Sequence, residues 1–159
     1  MKALTSNLSA PSPHDLYPVL VDTIRDLLEA RFRDKKILVE INARPFAESR
    51  EPLVFNFELV TMEVILGNLL SNAMKYADHI EVEVAETNGA VQIAVIDHGS
   101  GFDVEELRQP LLVPRDRREL GSTHLGLRVT LQLLEKCAGH LLVSSQPGIG
   151  SNFTLEFPK

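Results

Sequence analysis

The chain has 159 residues, of which 44% are hydrophobic and 24% charged, and this is the size and composition of one globular domain. Its formal net charge of -6 leaves no basic surface for nucleic acid, and no apolar run is long enough to span a membrane. The single cysteine, Cys137, excludes an internal disulfide and favours a reducing, cytoplasmic setting.

The first third of the chain predicts a tail, a helix and two strands. Residues 1–14 are rich in Ser, Ala, Asn and Pro, and we expect a flexible tail or the end of a linker. Apolar residues at helical spacing predict a helix over residues 15–33. Strands are predicted over residues 37–41 and 53–55.

A second helix, predicted over about residues 58–76, carries a polar arc beside its apolar stripe. At about 100° per residue, Asn68, Asn72 and Lys75 fall together on that arc. An Asn oxygen is a hard ligand that suits Mg²⁺, and an ammonium group can meet phosphate oxygens. The alternative is an ordinary solvated face of an amphipathic helix.

A hairpin follows, and it ends at an unusual turn. Apolar and acidic residues alternate over 80–84, which predicts a strand with one buried face. An Asn88-Gly89 turn and a second strand over 91–96 follow. The second strand ends at Asp97-His98-Gly99-Ser100-Gly101-Phe102. The two glycines let the backbone come close to a ligand, and the Asp97 carboxylate can accept a hydrogen bond from an exocyclic amine such as that of adenine. The alternative is a carboxylate that caps a turn.

Residues 103–120 show neither the helical nor the alternating spacing of apolar residues, and we interpret them as a surface loop. A glycine-bearing segment over residues 121–127 leads into a third helix over 125–138, with Gly139 as its C-cap. Such a segment presents free backbone N–H groups to phosphates, although it can equally be the plain beginning of a helix.

Two further strands, over residues 141–144 and 152–157, complete the predicted fold. We expect an α/β (α+β) two-layer sandwich, in which a mixed β-sheet carries three main helices on one face.

Several kinds of site are unsupported. The sequence contains no P-loop and no dinucleotide-binding glycine motif, and no nucleophile, base and orienting residue can be argued from order alone. The five His residues and one Cys show no metal-site spacing, so His14, His79 and His140 are interpreted as surface residues.

Four segments together resemble the catalytic ATP-binding domain of sensor histidine kinases, a member of the GHKL (Bergerat-fold) group that also includes DNA gyrase, Hsp90 and the mismatch-repair ATPases. The resemblance covers residues from about 15 to 157. Its segments are Asn68 to Tyr76 (similar to the N box), Asp97 to Phe102 (the G1 box), Leu125-Gly126-Leu127 (the end of the G2 box) and Pro147 to Phe153 (the closing glycine segment).

The resemblance implies a site for ATP and Mg²⁺. Asn72 would ligate Mg²⁺, Asn68 and Lys75 would act at the phosphates, and Tyr76 would line the nucleotide site. Asp97 would read the adenine amine. The remaining nucleotide-binding residues implied are Gly99, Gly101, Phe102, Ser122, Thr123, His124, Leu125 and Gly126. Residues of about 103–124 would form the ATP lid.

One difference from the ATP-hydrolysing relatives and one departure from the histidine kinase pattern bear on activity. ATP-hydrolysing relatives carry a Glu general base where this chain has Asn68, and an amide cannot take a proton from water. This favours phosphoryl transfer over hydrolysis. The G2 segment usually reads Gly-x-Gly-Leu-Gly-Leu, whereas this chain has Ser122-Thr123-His124-Leu125-Gly126-Leu127.

The sequence has no phosphate-acceptor helix before the domain, so the resemblance implies a histidine kinase domain over residues 15–159 whose acceptor lies elsewhere. We expect an excised domain of a longer kinase, with a stand-alone protein that acts on a partner as the alternative. The partners would be a dimerisation and phosphotransfer domain bearing a His, and a downstream response regulator. We expect no autophosphorylation without that acceptor, and a cytoplasmic location, including the cytoplasmic part of a membrane-bound sensor. Two alternatives stay open: a degenerate nucleotide-binding or protein-interaction module, and a Ser/Thr kinase of the anti-sigma-factor type.

Overall fold

The computed structural model describes residues 10–99 and 121–159, with the side chains of 121–125 outside the description. The helices are α1 (Leu16–Asp26), α2 (Leu59–Tyr76) and α3 (Gly121–Lys136), and a π-helical turn over Leu27–Arg31 extends α1. The strands are β1 (Ser12–Asp15), β2 (Leu38–Ile41), β3 (Arg44–Pro45), β4 (Val54–Phe57), β5 (His79–Thr87), β6 (Ala90–Asp97), β7 (His140–Gln146) and β8 (Gly150–Pro158).

Six strands form one mixed sheet in the order β3-β2-β5-β6-β8-β7. The β2–β5 pair is parallel and the other pairs are antiparallel. One face of the sheet is buried under the helices, through alternate residues such as Ile80, Val82, Ile93, Val95, Phe153 and Leu155. The predicted two-layer α/β sandwich is therefore confirmed. None of the helices in the described ranges is both long and apolar enough to cross a membrane.

The central hairpin fixes the position of Asp97. Gly89 takes a positive φ of 73° in the predicted two-residue turn, and β5 and β6 then pair from Thr87 opposite Ala90 to Ile80 opposite Asp97. Asp97 lies opposite Ile80 on one side and opposite Ser151 of β8 on the other. The carboxylate thus stands at the end of the sheet between two strands.

The beginning of the domain differs from the prediction. Residues 12–14, predicted to lie in a tail, belong to β1, which pairs with β4 in a separate two-stranded sheet. Asp15 fixes this arrangement because its carboxylate accepts hydrogen bonds from the backbone N–H of Tyr17 (3.2 Å) and of Leu53 (3.0 Å). The pairing is non-local, so the sequence around Pro13 carries no sign of it.

Both ends of α3 also differ from the prediction. The helix begins at Gly121 rather than Leu125, so the segment predicted to end the lid is helical there. At the other end Ala138, not Gly139, takes the left-handed conformation, with φ of 59°. The N–H of Gly139 bonds to the carbonyl of Leu134 at 3.0 Å, as in a Schellman motif. A Cβ at Gly139 would lie 2.5 Å from Cδ2 of Leu134, so a larger residue here would displace that side chain.

We expect Ala138→Gly to raise the free energy of unfolding by about 0.5 kcal/mol. Glycine removes the strain of the left-handed conformation, and the greater entropy of glycine in the unfolded chain offsets only part of that gain. Urea unfolding measures the change. The matched control is Ala30→Gly, at an exposed helical position, which should lose about 1 kcal/mol. A loss at Ala138 as large as at Ala30 would contradict the assigned cap.

Candidate functional site

The polar arc of α2 lies at the edge of the core, as its spacing predicts. Asn68 and Asn72 are half-buried, whereas Lys75 is exposed. The Nζ of Lys75 lies 5.8 Å from the ring centroid of Tyr76, so the end of α2 carries a cation beside an aromatic ring. Tyr76 is itself 54% exposed.

Asn72 supplies an unusual acceptor. Its Oδ1 is buried and has no hydrogen-bond partner among the described residues. A buried carbonyl oxygen without a partner is costly, and such atoms in proteins commonly serve a ligand, a water molecule or an ion. An amide oxygen is also a hard ligand of the kind that Mg²⁺ takes. The donor chemistry at this point therefore fits a magnesium ion.

Asn68 connects α2 to α3. Its Nδ2 donates to the carbonyl of Gly126 at 3.1 Å and to Oγ1 of Thr130 at 3.3 Å. Thr130 is fully buried. A carboxylate at position 68 would set two acceptors against each other at the Gly126 carbonyl, so this contact needs an amide. Asn68 therefore holds the first turns of α3 against α2, and it offers no basic group to water.

Asp97 is a buried carboxylate, only 5% exposed. Its Oδ1 accepts from the N–H of Gly99 at 3.0 Å, and Ser151 donates to the carboxylate through both its backbone N–H and its hydroxyl. Burial raises the pKa of Asp97, while these hydrogen bonds and the neighbouring His98 oppose the rise. The group is a fixed hydrogen-bond acceptor, aimed by its neighbours.

Gly99 brings the end of α2 against the turn after β6. A Cβ on Gly99 would lie 2.5 Å from the carbonyl oxygen of Tyr76 and 3.1 Å from Oδ1 of Asp97. Only glycine fits this approach. The predicted G1 and N segments therefore meet in space, although they are separated by a strand hairpin in the sequence.

The structure brings together Asn68, Asn72, Lys75, Tyr76, Asp97, Gly99 and Gly126 through α2, the end of β6 and the beginning of α3. Gly101, Phe102 and the predicted lid residues 103–120 lie outside the described residues. The backbone of Ser122, Thr123, His124 and Leu125 lies in α3, and their side chains are outside the description.

Sequence reasoning assigned no role to three supporting residues, although Gly150 and Ser151 lie in the closing glycine segment that it singled out. Ser151 holds the Asp97 carboxylate, Thr130 receives Asn68, and Gly150 lies against the Asp97 backbone, where a Cβ would come within 2.2 Å of its carbonyl oxygen. The glycine-rich segment before β8 was a visible signal for Gly150. Nothing in the local sequence marks Thr130.

Residues 58–159 match the family described as histidine kinase-, DNA gyrase B- and HSP90-like ATPases. The match covers more than half of the chain, so the chain belongs to this family. It is 30% identical to the sensor histidine kinase AtsR of Burkholderia thailandensis over 99% of its own length and 27% of that protein. It is 35% identical to the adaptive-response sensory kinase SasA of Prochlorococcus marinus, over 61% of its own length and 28% of that protein.

Solved structures agree on the fold. The catalytic domain of histidine kinase ThkA superposes with a TM-score of 0.74 at 21% identity, covering 95% of this chain and 97% of that one. A mycobacterial sensor histidine kinase, MprB, gives 0.71 at 20% identity, covering 93% and 97%. The chain thus corresponds to a catalytic domain in shape, and it spans about a quarter of the length of AtsR and of SasA.

Proposed function

We propose that this chain is the ATP-binding catalytic domain of a two-component sensor histidine kinase. It would transfer the γ-phosphoryl group of ATP to a His on a separate dimerisation and phosphotransfer domain, from which a response regulator is phosphorylated. The observation that carries the proposal is the buried Oδ1 of Asn72, an oxygen without a described partner on the helix that faces Asp97 and Gly99.

Different residues would contact different parts of the nucleotide. Asp97 would accept from the adenine amine, and Gly99 would let the base approach the backbone. Asn72 would hold Mg²⁺ through Oδ1, and Lys75 would meet phosphate oxygens from the exposed end of α2. When bound, Mg²⁺ neutralises phosphate charge that the protein does not neutralise by itself.

Asn68 favours transfer over hydrolysis. Its amide donates to Gly126 and Thr130, and it cannot activate a water molecule as a carboxylate can. Phosphoryl transfer needs mainly positioning and electrostatic stabilisation from the domain that binds ATP. The acceptor side chain then comes from the partner domain.

The first test removes the metal ligand. We expect Asn72→Ala to weaken Mg·ATP binding by about tenfold or more, because the ion loses a protein ligand. Calorimetric titration should show that difference with Mg²⁺ and lose it when EDTA replaces the metal. An equal loss of affinity in EDTA would mean that Asn72 acts on the nucleotide or the fold rather than on Mg²⁺.

The second test identifies the reaction. The chain is incubated with γ-labelled Mg·ATP and the His-bearing phosphotransfer domain of a similar kinase such as AtsR. Label on the acceptor that is lost in acid and stable in base supports the proposal. Acid-stable label on Ser would indicate a Ser/Thr kinase instead. Tight nucleotide binding with no transfer to any acceptor would leave a binding module.

A further inference from the structure

Four ionisable side chains meet on the sheet face that points away from the helices. Ile80 and Val82 of β5 point into the core, so His79 and Glu81 emerge on the other face. Glu40 of β2 lies opposite Glu81 in the parallel pair, and His98 follows β6 directly. None of these groups has a role in the nucleotide site proposed above.

The four side chains already lie within contact distance. The Nε2 of His98 is 2.5 Å from Oε2 of Glu81, and the Nε2 of His79 is 2.9 Å from Oε1 of Glu40. The two imidazole rings are 5.4 Å apart between centroids. One ligand atom from each of His79, Glu81 and His98 lies within 4.8 Å of the others. Their side chains are 34–53% exposed, so an ion in solution can reach them.

We propose that His79, Glu81 and His98 form a binding site for a first-row divalent cation, with Zn²⁺ as the preferred ion. Two imidazoles and one carboxylate are a recurrent zinc donor set that leaves a fourth position open. Ligand atoms around tetrahedral zinc are about 3.4 Å apart, given bond lengths of about 2.0–2.2 Å. The three ligand atoms, all within 4.8 Å of one another, are already close to that spacing.

The donor set also separates this ion from the magnesium of the nucleotide site. Mg²⁺ prefers oxygen ligands and retained water, whereas imidazole suits Zn²⁺, Ni²⁺ and Cu²⁺. Glu40 is placed either to hold His79 in position or to fill the fourth position. Glu83, exposed one step further along the same face of β5, adds negative charge that attracts a cation.

The interpretation of His79 as an isolated surface residue changes accordingly. Linear spacing gives no metal motif, because His79 and His98 are far apart in the chain. The hairpin register, with Ile80 opposite Asp97, brings His79 and His98 side by side. A two-residue turn at the far end of the hairpin is what creates the cluster.

The test is calorimetric titration of Zn²⁺ into metal-stripped protein without nucleotide, with Mg²⁺ as the comparison ion. We expect one saturable Zn²⁺ site per chain, a rise in melting temperature with Zn²⁺, and neither effect with Mg²⁺. His79→Gln and Glu81→Gln should each weaken Zn²⁺ binding by at least about tenfold. The matched control, His140→Gln, alters an exposed His on β7 and should bind as the unmodified chain does.

The variants must melt at the same temperature as the unmodified chain without metal, which separates lost binding from lost folding. If either does not, His98→Gln, at the third proposed ligand, replaces it with the same expected loss. Binding that survives in His79→Gln and Glu81→Gln overturns the proposal. So does the absence of saturable Zn²⁺ binding, or an equal loss in His140→Gln. Each readout is free of nucleotide, so the result is independent of the kinase proposal.

Discussion

Asp97→Asn is expected to abolish measurable Mg·ATP and Mg·ADP binding, a loss of about 100-fold or more. Asp97 is only 5% exposed, and its carboxylate is held by Gly99 and Ser151 as a hydrogen-bond acceptor. Hydrogen bonds to charged groups contribute about 1.5–3 kcal/mol. In the Asn variant the side-chain NH₂ group can also point at the adenine amine, which places two donors against each other. Calorimetric titration with both nucleotides measures the change.

The matched control is Asp78→Asn, which makes the same change of charge at an exposed position beside the site and should leave nucleotide affinity unchanged. Unaltered Mg·ADP binding by Asp97→Asn would show that the adenine lies elsewhere. If the unmodified chain also fails to bind, the altered G2 segment around Ser122 and His124 has disabled the phosphate end, and the binding-module alternative takes over.

The same substitution should not weaken the fold. Burial raises the pKa of Asp97 in the folded chain, so at neutral pH the ionised carboxylate costs stability that an amide does not. This cost disappears as the pH falls through the raised pKa. The free energy of unfolding of the unmodified chain, relative to Asp97→Asn, should therefore increase from neutral to mildly acidic pH. Urea unfolding at several pH values tests this sign.

Most of the fold prediction rested on the periodic spacing of apolar residues along the chain. The stripe and polar arc of α2, the alternation of β5 and the Asn88-Gly89 turn all depend on residues close together in the chain, and local spacing determines them. The order of elements was therefore predictable. The resemblance to histidine kinase domains then assigned candidate roles to residues that periodicity only placed.

What the sequence could not predict depends on contacts between distant segments. The strand at Ser12–Asp15 exists because β4 pairs with it, and the cap at Ala138 is closed by the hydrogen bond from the N–H of Gly139 to the carbonyl of Leu134. Asn68 looks like any polar residue on a helix until Gly126 and Thr130 are seen to receive its amide. The cluster of His79, Glu81 and His98 was not predictable for the same reason, since only the strand pairing brings these residues together. Such residues are recognisable only after the strands and helices are assembled.

Gly150→Ala is expected to lower the free energy of unfolding by about 3 kcal/mol. Gly150 has φ of 145°, and a Cβ there would lie 2.2 Å from the carbonyl oxygen of Asp97. The Asp97 carbonyl and the Gly150 backbone that would carry the Cβ are both fixed by the pairing of Asp97 with Ser151, so no flexible side chain can move aside. Backbone strain and overpacking each cost about 1–3 kcal/mol.

The matched control is Gly148→Ala, in the turn before β8. Gly148 also has a positive φ, 82°, but a Cβ there meets nothing within 4 Å. It should therefore lose only about 1 kcal/mol, the cost of the left-handed conformation. The difference between the two variants in urea unfolding isolates the close approach to Asp97. Equal losses would mean that the conformation alone makes Gly150 necessary. A larger loss at Gly150, with weakened Mg·ADP binding in the protein that remains folded, would mean that β8 holds the Asp97 carboxylate in the position that nucleotide binding needs.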